Sequence, residues 1–540
     1  MHAQTTNLVT LSTQVRLIPM VNNWYTTPLL ISPLTFGLVT KRSHLPLLAS
    51  YIDAPEVHQQ CVSTPELRGG PFVDYGGDPA VVADFAASTR QRCAAALHSA
   101  DAIESIYSQL LHKASGASIG ALYHQVDASL KDCVEFHYDL YKQPGVRFVE
   151  STVYRKAATH TALQSCRLEP VSKSERPFFL STPLLARHAD AVDIQAPFGD
   201  PVWDTLFART PMPAAALLDA LTPYLEDQEG DRAKLARLLA PAPAQAEAQA
   251  AARQPVAPGT TRVRYFGHAC VLVESAHASV LIDPLVSYPG ESDVERFTFD
   301  DLPAHIDYIL ITHAHVDHFV LETLLQLRHK VRCVVVGRAG GGSLQDISLK
   351  LALQHCGFKN VVELSEHEEI VFDGGRIVGA PFYGEHADLD IRAKLAFGVT
   401  LDQATCAFFA DSNPPHPECY ASMKAMLPAI DCLFIGMECV GAPASWSYGP
   451  LLQRALARDE DQSRRLDGSN ADTASAMQAF LDPARMFVYA MGAEPWVTHL
   501  SSIVYSEQLP QFQQARQFER MAAASGRHAE VLFGAMELSL

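Results

Sequence analysis

The sequence predicts an α/β protein in two parts: a C-terminal domain of apolar sheets sandwiched between helices, preceded by a mostly helical α+β domain. Three observations predict it. At 540 residues the chain exceeds what a single hydrophobic core organises. The stretch Leu239 to Gly259 (LAPAPAQAEAQAAARQPVAPG) is rich in Ala, Pro and Gln and lacks apolar periodicity, so it reads as a linker or a frayed helix. Across it the texture changes from helical spacing to short β-branched runs. The expected division is therefore 1–245 for the first domain, 246–260 for the linker and 261–540 for the second domain.

In the first domain, Asp78 to Ser115 repeats apolar residues three and four apart, the spacing of one helix face. Short strand-like pieces such as Val146 to Tyr154 interrupt the helical pattern, and no catalytic constellation stands out. In the second domain the strand candidates are Arg262 to Phe266, Cys270 to Glu274, Val280 to Ile282, Tyr308 to Ile311, Val331 to Val336 and Ala404 to Phe409. Helical stretches, among them Leu321 to Arg328 and Leu344 to His355, separate them.

A formal charge of -18 argues against non-specific binding to nucleic acid or an anionic membrane, both of which need a positive field. Met1 to Thr40 is broken by Arg16, Asn22, Asn23 and prolines and lacks the charged start of a signal peptide. No run reaches the ~18 apolar residues of a membrane span. Eleven cysteines, without a CxxC pair, fit buried thiols in a reducing compartment. The expectation is a cytoplasmic protein.

The chemistry concentrates in DYILITHAHVDHF. An apolar strand delivers His313 at its end, where loops build sites. His313 and His315, two apart in extended backbone, can hold one metal, and Asp317 and His318, after the chain turns, a second. Four ligand-type side chains in six residues make a far more specific signal than a chance surface histidine cluster.

These residues, with FGHACVLVES and VLIDP before them and FFADSN after, resemble the metallo-β-lactamase superfamily, whose fold is an αββα sandwich. The resemblance implies that Asp411 bridges two metals, one oxygen to each, at the ~3.5–4 Å spacing of two-metal chemistry. Asp283, at a strand end, either fixes the tautomer of a ligating histidine or closes a turn. Two departures matter. Where zinc hydrolases of this superfamily offer a third histidine, this chain has APFYGEHADL, with Glu385 beside His386. Where they offer a last one, MFVYAMGAEPW has Met491 and Glu494, and no histidine follows until His499. Exchanging nitrogen for oxygen favours harder ions such as a carboxylate-bridged iron pair.

Together with ELRGGPFVD, GGGSLQDISLKLALQHCGF, FADSNPP and GMECVGAPASWSYGPLL, these departures resemble the nonheme diiron β-hydroxylases of the chloramphenicol-biosynthesis type, along essentially the whole chain. The resemblance implies an O₂-dependent monooxygenase with two Fe ions, fed by an external electron donor. Its substrate would be an aminoacyl group held by phosphopantetheine on the thiolation (carrier) domain of a nonribosomal peptide synthetase. It makes His313, His315 and Glu385 ligands of one iron, Asp317 and His318 ligands of the other, and Asp411 the bridge, with Glu385 and Asp411 also catalytic. Glu438, in the GMECVG turn, is the expected fourth carboxylate, with Glu494 as the alternative; four carboxylates would neutralise two Fe(II). The first domain would cap the site, form a homodimer and dock the carrier.

Other features carry less. GRAGGGS (Gly337 to Ser343) is a strand-to-helix turn or the wall of a tunnel for the phosphopantetheine arm. Arg147, Arg155, Lys156, Arg167, Lys173 and Arg176 outnumber the acids around them and form either a carrier-docking patch or a solvated face. Trp446 and Tyr448 wall a substrate pocket or belong to the core. The competing functions are a dinuclear zinc hydrolase of lactonase or phosphodiesterase type and, outside enzymes, a carrier-docking scaffold with a dead site.

Overall fold

The computed structural model describes residues 8–173, 175–242, 256–427 and 429–540; most of the expected linker, 246–255, lies outside them. The C-terminal domain is two seven-stranded sheets face to face. The first runs Val361–Leu364, Val331–Gly337, Ile306–Ile311, Ser279–Ile282, Cys270–Glu274, Arg262–Gly267, Met536–Ser539. The second runs Glu369–Phe372, Gly375–Ala380, Ala396–Leu401, Ala404–Phe408, Cys432–Gly436, Arg485–Tyr489, Ala529–Val531.

The six strand runs read in the sequence fall on strands within two residues at either end. They are apolar on both faces because both faces are covered. Val271, Val273, Ile282, Leu310, Phe397, Val399 and Phe434 fill the space between the sheets. Outside the second sheet, helices Ala471–Leu481 and Pro510–Ala524 pack over Ile435, Val488 and Met486.

Outside the first sheet the arrangement differs from two separate domains. Helices Leu321–Leu327 and Leu349–His355 lie there, and the N-terminal domain packs onto the same layer. Leu17, Val21, Trp24, Phe36, Phe198 and Trp203 share one buried cluster with Phe266, Leu281, Ile309, Leu324 and Leu353. Polar stitches accompany it. The Arg328 guanidinium donates to Asp204 and to the carbonyls of Phe198, Asp200 and Cys356, and Arg176 pairs in two-pronged fashion with Glu322. A guanidinium fork buried among such acceptors fixes an angle as well as a distance.

The N-terminal domain is built on the sheet Trp24–Tyr25, Val15–Val21, Gln164–Pro170, Val192–Ile194; helix Pro79–Arg92 shares its buried cluster, and helix Ala94–Lys113 packs its buried face with Leu34, Leu38, Phe136 and Phe148. A continuous helical path from Pro33 to Asp53 includes a π turn at Thr40–His44. Pro46, which has no N–H and would clash with the carbonyl four residues back, accounts for that widening.

Two expectations are corrected by the structure. Val146 to Tyr154 is strand only over Pro144–Phe148 and then becomes helix Glu150–Arg155, because the buried Glu150 takes the Ser348 N–H at the domain boundary. The helix expected from Leu344 begins at Leu349. Ser348 caps it, and Asp346 is occupied by the N–H groups of Arg392 and Ala393. Of the basic run, Arg167 and Arg176 are buried against Asp193 and Glu322, Arg147 and Lys156 pair at the surface with Glu135 and Asp132, and Arg155 and Lys173 are exposed. GRAGGGS is a tight turn against the N-terminal domain, its Gly342 carbonyl accepting from Phe148 N–H and its Gly341 carbonyl from Arg147.

Candidate metal centre

Strands Ser279–Ile282, Ile306–Ile311 and Val331–Gly337 are parallel, so their C-terminal ends open on one edge of the sandwich. The site stands there. Asp283, fully buried and in the left-handed region at φ 39°, follows the first of them. One of its oxygens accepts the Thr312 N–H at 2.8 Å, and the other accepts the Thr312 hydroxyl at 2.6 Å and faces His318 Nδ1 at 2.9 Å. The Thr312 oxygen in turn lies 3.0 Å from His313 Nδ1. Asp283, directly and through Thr312, therefore holds the HAHVDH turn and engages Nδ1 of both imidazoles, turning their Nε2 atoms toward the centre, where His313 Nε2 lies 3.1 Å from His315 Nδ1.

The second sheet brings the carboxylates. Asp411 follows strand Ala404–Phe408 after Ala410, itself at φ 46°. Gly436 gives it room, since a Cβ there would lie 2.6 Å from Asp411 Oδ1. Glu385 arrives on a loop where Gly384, Glu385, Ala387 and Asp388 all have positive φ. Such backbone is costly for residues with a Cβ and persists where the surroundings over-determine it.

Three groups of ligand atoms result, each gathered within 4.8 Å: His313, His315, Glu385 and His386; His313, His318 and Asp411; His268, Asp317 and His318. Asp411 Oδ2 is 3.1 Å from His318 Nε2 and 3.8 Å from His313 Nε2, between the other two groups. Glu385 Oε1 is 3.1 Å from His315 Nδ1, and its Oε2 is 2.8 Å from His386 Nδ1. Tyr448 Oη lies 3.0 Å from His315 Nε2. The aromatic pair thus separates: Tyr448 reaches the centre, whereas Trp446 is 43% exposed and donates to the Gly69 carbonyl.

Burial works against charge throughout, and the neighbours decide the outcome. His313 is driven well down by burial and by the other imidazoles, which keeps it neutral as a ligand must be. For Glu385, burial is outweighed by His315 and His386, which hold its carboxyl at about 2. Asp317 is likewise held low by His318 and His268 despite burial. On His318, Asp411, Asp317 and Asp283 overcome burial and move the imidazole well up.

The donors fit a pair of cations. His268 Nε2, His318 Nε2, Glu385 Oε2, His386 Nε2 and Asp411 Oδ1 are buried without a hydrogen-bond partner, although acceptors and donors stand close by. Buried polar atoms normally find a partner. Lone pairs that converge on shared points and miss one another are what ligands of metal ions present. Six expected site residues, His313, His315, Asp317, His318, Glu385 and Asp411, meet here. Glu438 lies beside the set and outside its three groups. Its Oε2 accepts from Gln511 at 3.1 Å, and burial with Asp411, Asp467 and Asp317 nearby pushes its carboxyl up to about 7. Glu494 lies outside the three groups; its Oε1 accepts from Tyr265 Oη at 2.5 Å and His268 N–H at 2.8 Å, and its Oε2 is buried without a partner. His499 is remote, 2.7 Å from Arg176.

Sequence reasoning missed His268. It sits on the turn after strand Arg262–Gly267, only 1% exposed, with Nε2 at 3.2 Å from Asp317 Oδ2. The available signal was the HAC turn inside a motif recognised only for its strands.

Fold and site define a β-lactamase-superfamily domain whose edge gathers three adjoining groups of side chains able to hold metal, with a second domain packed against it. Residues 278–447 match the family described as beta-lactamase superfamily domain, and residues 10–243 the diiron non-heme beta-hydroxylase N-terminal domain. The chain is 34% identical over 497 residues to the 4-amino-L-phenylalanyl-[CmlP-peptidyl-carrier-protein] 3-hydroxylase of Streptomyces venezuelae, covering 91% of this chain and 92% of that protein. The crystal structure of CmlA, a diiron beta-hydroxylase from Streptomyces venezuelae, aligns with a TM-score of 0.92 at 31% identity, over 99% of this chain and 100% of that one. A metal-dependent hydrolase of Staphylococcus saprophyticus matches at 28% over only 78 residues, 14% of this chain and 31% of its own. This chain belongs to the diiron non-heme β-hydroxylase family.

Proposed function

We propose that this enzyme is an O₂-dependent monooxygenase that hydroxylates the β-carbon of an aminoacyl group tethered by phosphopantetheine to the carrier domain of a nonribosomal peptide synthetase. The observation that carries the reading is the near full-length relationship to a hydroxylase named for a carrier-bound amino acid. The reaction consumes O₂, two electrons and two protons, placing one oxygen in the C–H bond and releasing the other as water; the electrons come from an external donor. When bound, the two irons supply the oxygen activation.

The chain's residues hold and bias that centre. His313, His315 and Glu385 are assigned to one iron, Asp317 and His318 to the other, with Asp411 as the bridge and with Glu385 and Asp411 setting its reactivity. Glu438 is assigned as the fourth carboxylate by the family resemblance; its burial and the nearby charges of Asp411 and Asp317 push its carboxyl up. Oxygen donors at Glu385, Asp317 and Asp411 favour iron over the zinc of the hydrolases. Residues 1–245 act as the cap: Arg42 donates to the carbonyls of Pro450 and Leu452, steadying the segment that carries Tyr448 over His315. The same domain is assigned the homodimer contact and carrier docking. No helix among the described residues is long and apolar enough to cross a membrane.

Intact-mass analysis of carriers loaded with different amino acids, incubated with enzyme, reductant and O₂, tests the reading. We expect one loaded carrier to gain a single oxygen and the matching free amino acid to go unmodified, because docking supplies orientation. Efficient turnover of the free amino acid would overturn the tethered-substrate assignment.

A further inference from the structure

The trio His268, Asp317 and His318 offers two imidazoles to the same carboxylate, and the structure treats them oppositely. His318 turns Nδ1 to Asp283 at 2.9 Å, an acceptor. Its Nδ1 therefore carries the hydrogen, and Nε2 keeps a lone pair for a metal. His268 turns Nδ1 to the backbone N–H of Gly492 at 3.2 Å, an obligate donor. A donor on Nδ1 requires a lone pair there, which puts the hydrogen of the neutral ring on Nε2. That nitrogen is buried without a hydrogen-bond partner, as the ligand nitrogens His318 Nε2 and His386 Nε2 are, and it lies 3.2 Å from Asp317 Oδ2. What sets it apart from them is the hydrogen that the donor on Nδ1 forces onto it.

The rest of the environment fixes this arrangement. His268 has φ 52°, its N–H donates to Glu494 Oε1 at 2.8 Å, and its carbonyl accepts from Ala490 N–H at 2.8 Å. Before it, Gly267 at φ 103° lies under Trp496, where a Cβ would meet the indole at 2.5 Å. The segment 490–496, which carries no histidine of its own, thus grips the His268 ring and backbone from several directions and leaves it one orientation.

We infer that His268 is not a metal ligand but a positioning residue, whose Nε2–H donates to Asp317 Oδ2 and so orients that carboxylate and withdraws electron density from it. The inference rests on the diiron reading. A hydrogen bond to a ligating carboxylate weakens its donation to iron, which favours the reduced metal. Without it, the ferric state gains and the midpoint potential falls.

The test uses the full-length, iron-loaded protein with His268→Gln and His268→Ala, measuring iron per chain and midpoint potential beside the wild type. Glutamine can donate at the Nε2 position and is a poor iron ligand. We expect both variants to keep two irons, the alanine variant to shift to lower potential, and glutamine to restore most of the shift. Loss of one iron from both variants makes His268 a ligand and overturns the inference. So does an unshifted potential in an alanine variant that keeps both irons. Should the alanine variant fail to fold, glutamine decides alone: two irons and a near-wild-type potential support the donor role, and one iron refutes it. A wild-type protein that takes up no iron would instead sink the diiron reading itself.

Discussion

The two sides of the metal centre are held in different ways. The side of Asp317 and His318 rests on the sheet: Asp283 and Thr312, at the ends of adjacent parallel strands, fix it through bonds of 2.6–2.9 Å. On the side of His315 and Glu385, Glu385 rests on a loop with four residues at positive φ, and His315 faces Tyr448, which packs in one cluster with Leu34 and Leu38 of the N-terminal domain. The anchored side carries the signature residues that resemble the superfamily's, while the looped side has Glu385 beside His386 and lies next to the second domain. The difference teaches that the residues of the HAHVDH turn are held by the sheet, whereas the residue that departs from the hydrolase pattern, Glu385, is held by a strained loop.

Asp411 belongs to both sides, so its loss should have the largest effect. Asp411→Ala is expected to release both irons and abolish hydroxylation, seen by iron analysis and product mass. Retention of either iron at full occupancy would show the sides to be independent. Glu385→His comes next. It restores a nitrogen ligand, removes a negative charge, and should shift uptake from iron toward zinc while ending oxygenation. Unchanged hydroxylation would place Glu385 outside the ligand set.

Asp283→Asn keeps the shape and removes the acceptor that fixes His318, and a loss of roughly 10–100-fold in metal affinity is expected, the usual scale for such supporting carboxylates. A competing chelator titration measures it; no change would mean that packing alone orients the ring. The smallest effect belongs to Tyr448→Phe, which deletes one hydrogen bond of about 1 kcal/mol at His315. Iron content should hold while turnover falls several-fold, and a loss of iron would make the looped side as dependent on its support as the anchored one.

Much of this was legible in the sequence because the site is sequence-local. His313, His315, Asp317 and His318 share one turn, and a strand running into that turn positions them by register alone. Glu385 was legible as a departure, a carboxylate where relatives place nitrogen. His268 was not, because no spacing links it to the cluster and a lone histidine after a strand resembles any buried one; only the fold sets its Nε2 beside Asp317. The shared core was equally hidden. Apolar residues such as Phe266, Leu281 and Ile309 declare that they are buried, not by what, and here the cover is Leu17, Trp24 and Phe198 of the other domain. Removing residues 1–259 would strip that cover, so the second domain alone is expected to aggregate before it can be tested for metal.

The most direct measurement is the metal dependence of turnover. Protein freed of metal and reconstituted with Fe(II) should bind two irons per chain, develop visible absorption on oxidation and hydroxylate the loaded carrier, whereas protein holding two zincs should be colourless and inert in the same assay. Hydrolytic activity with two zincs, and no oxygen insertion with iron, would contradict the account.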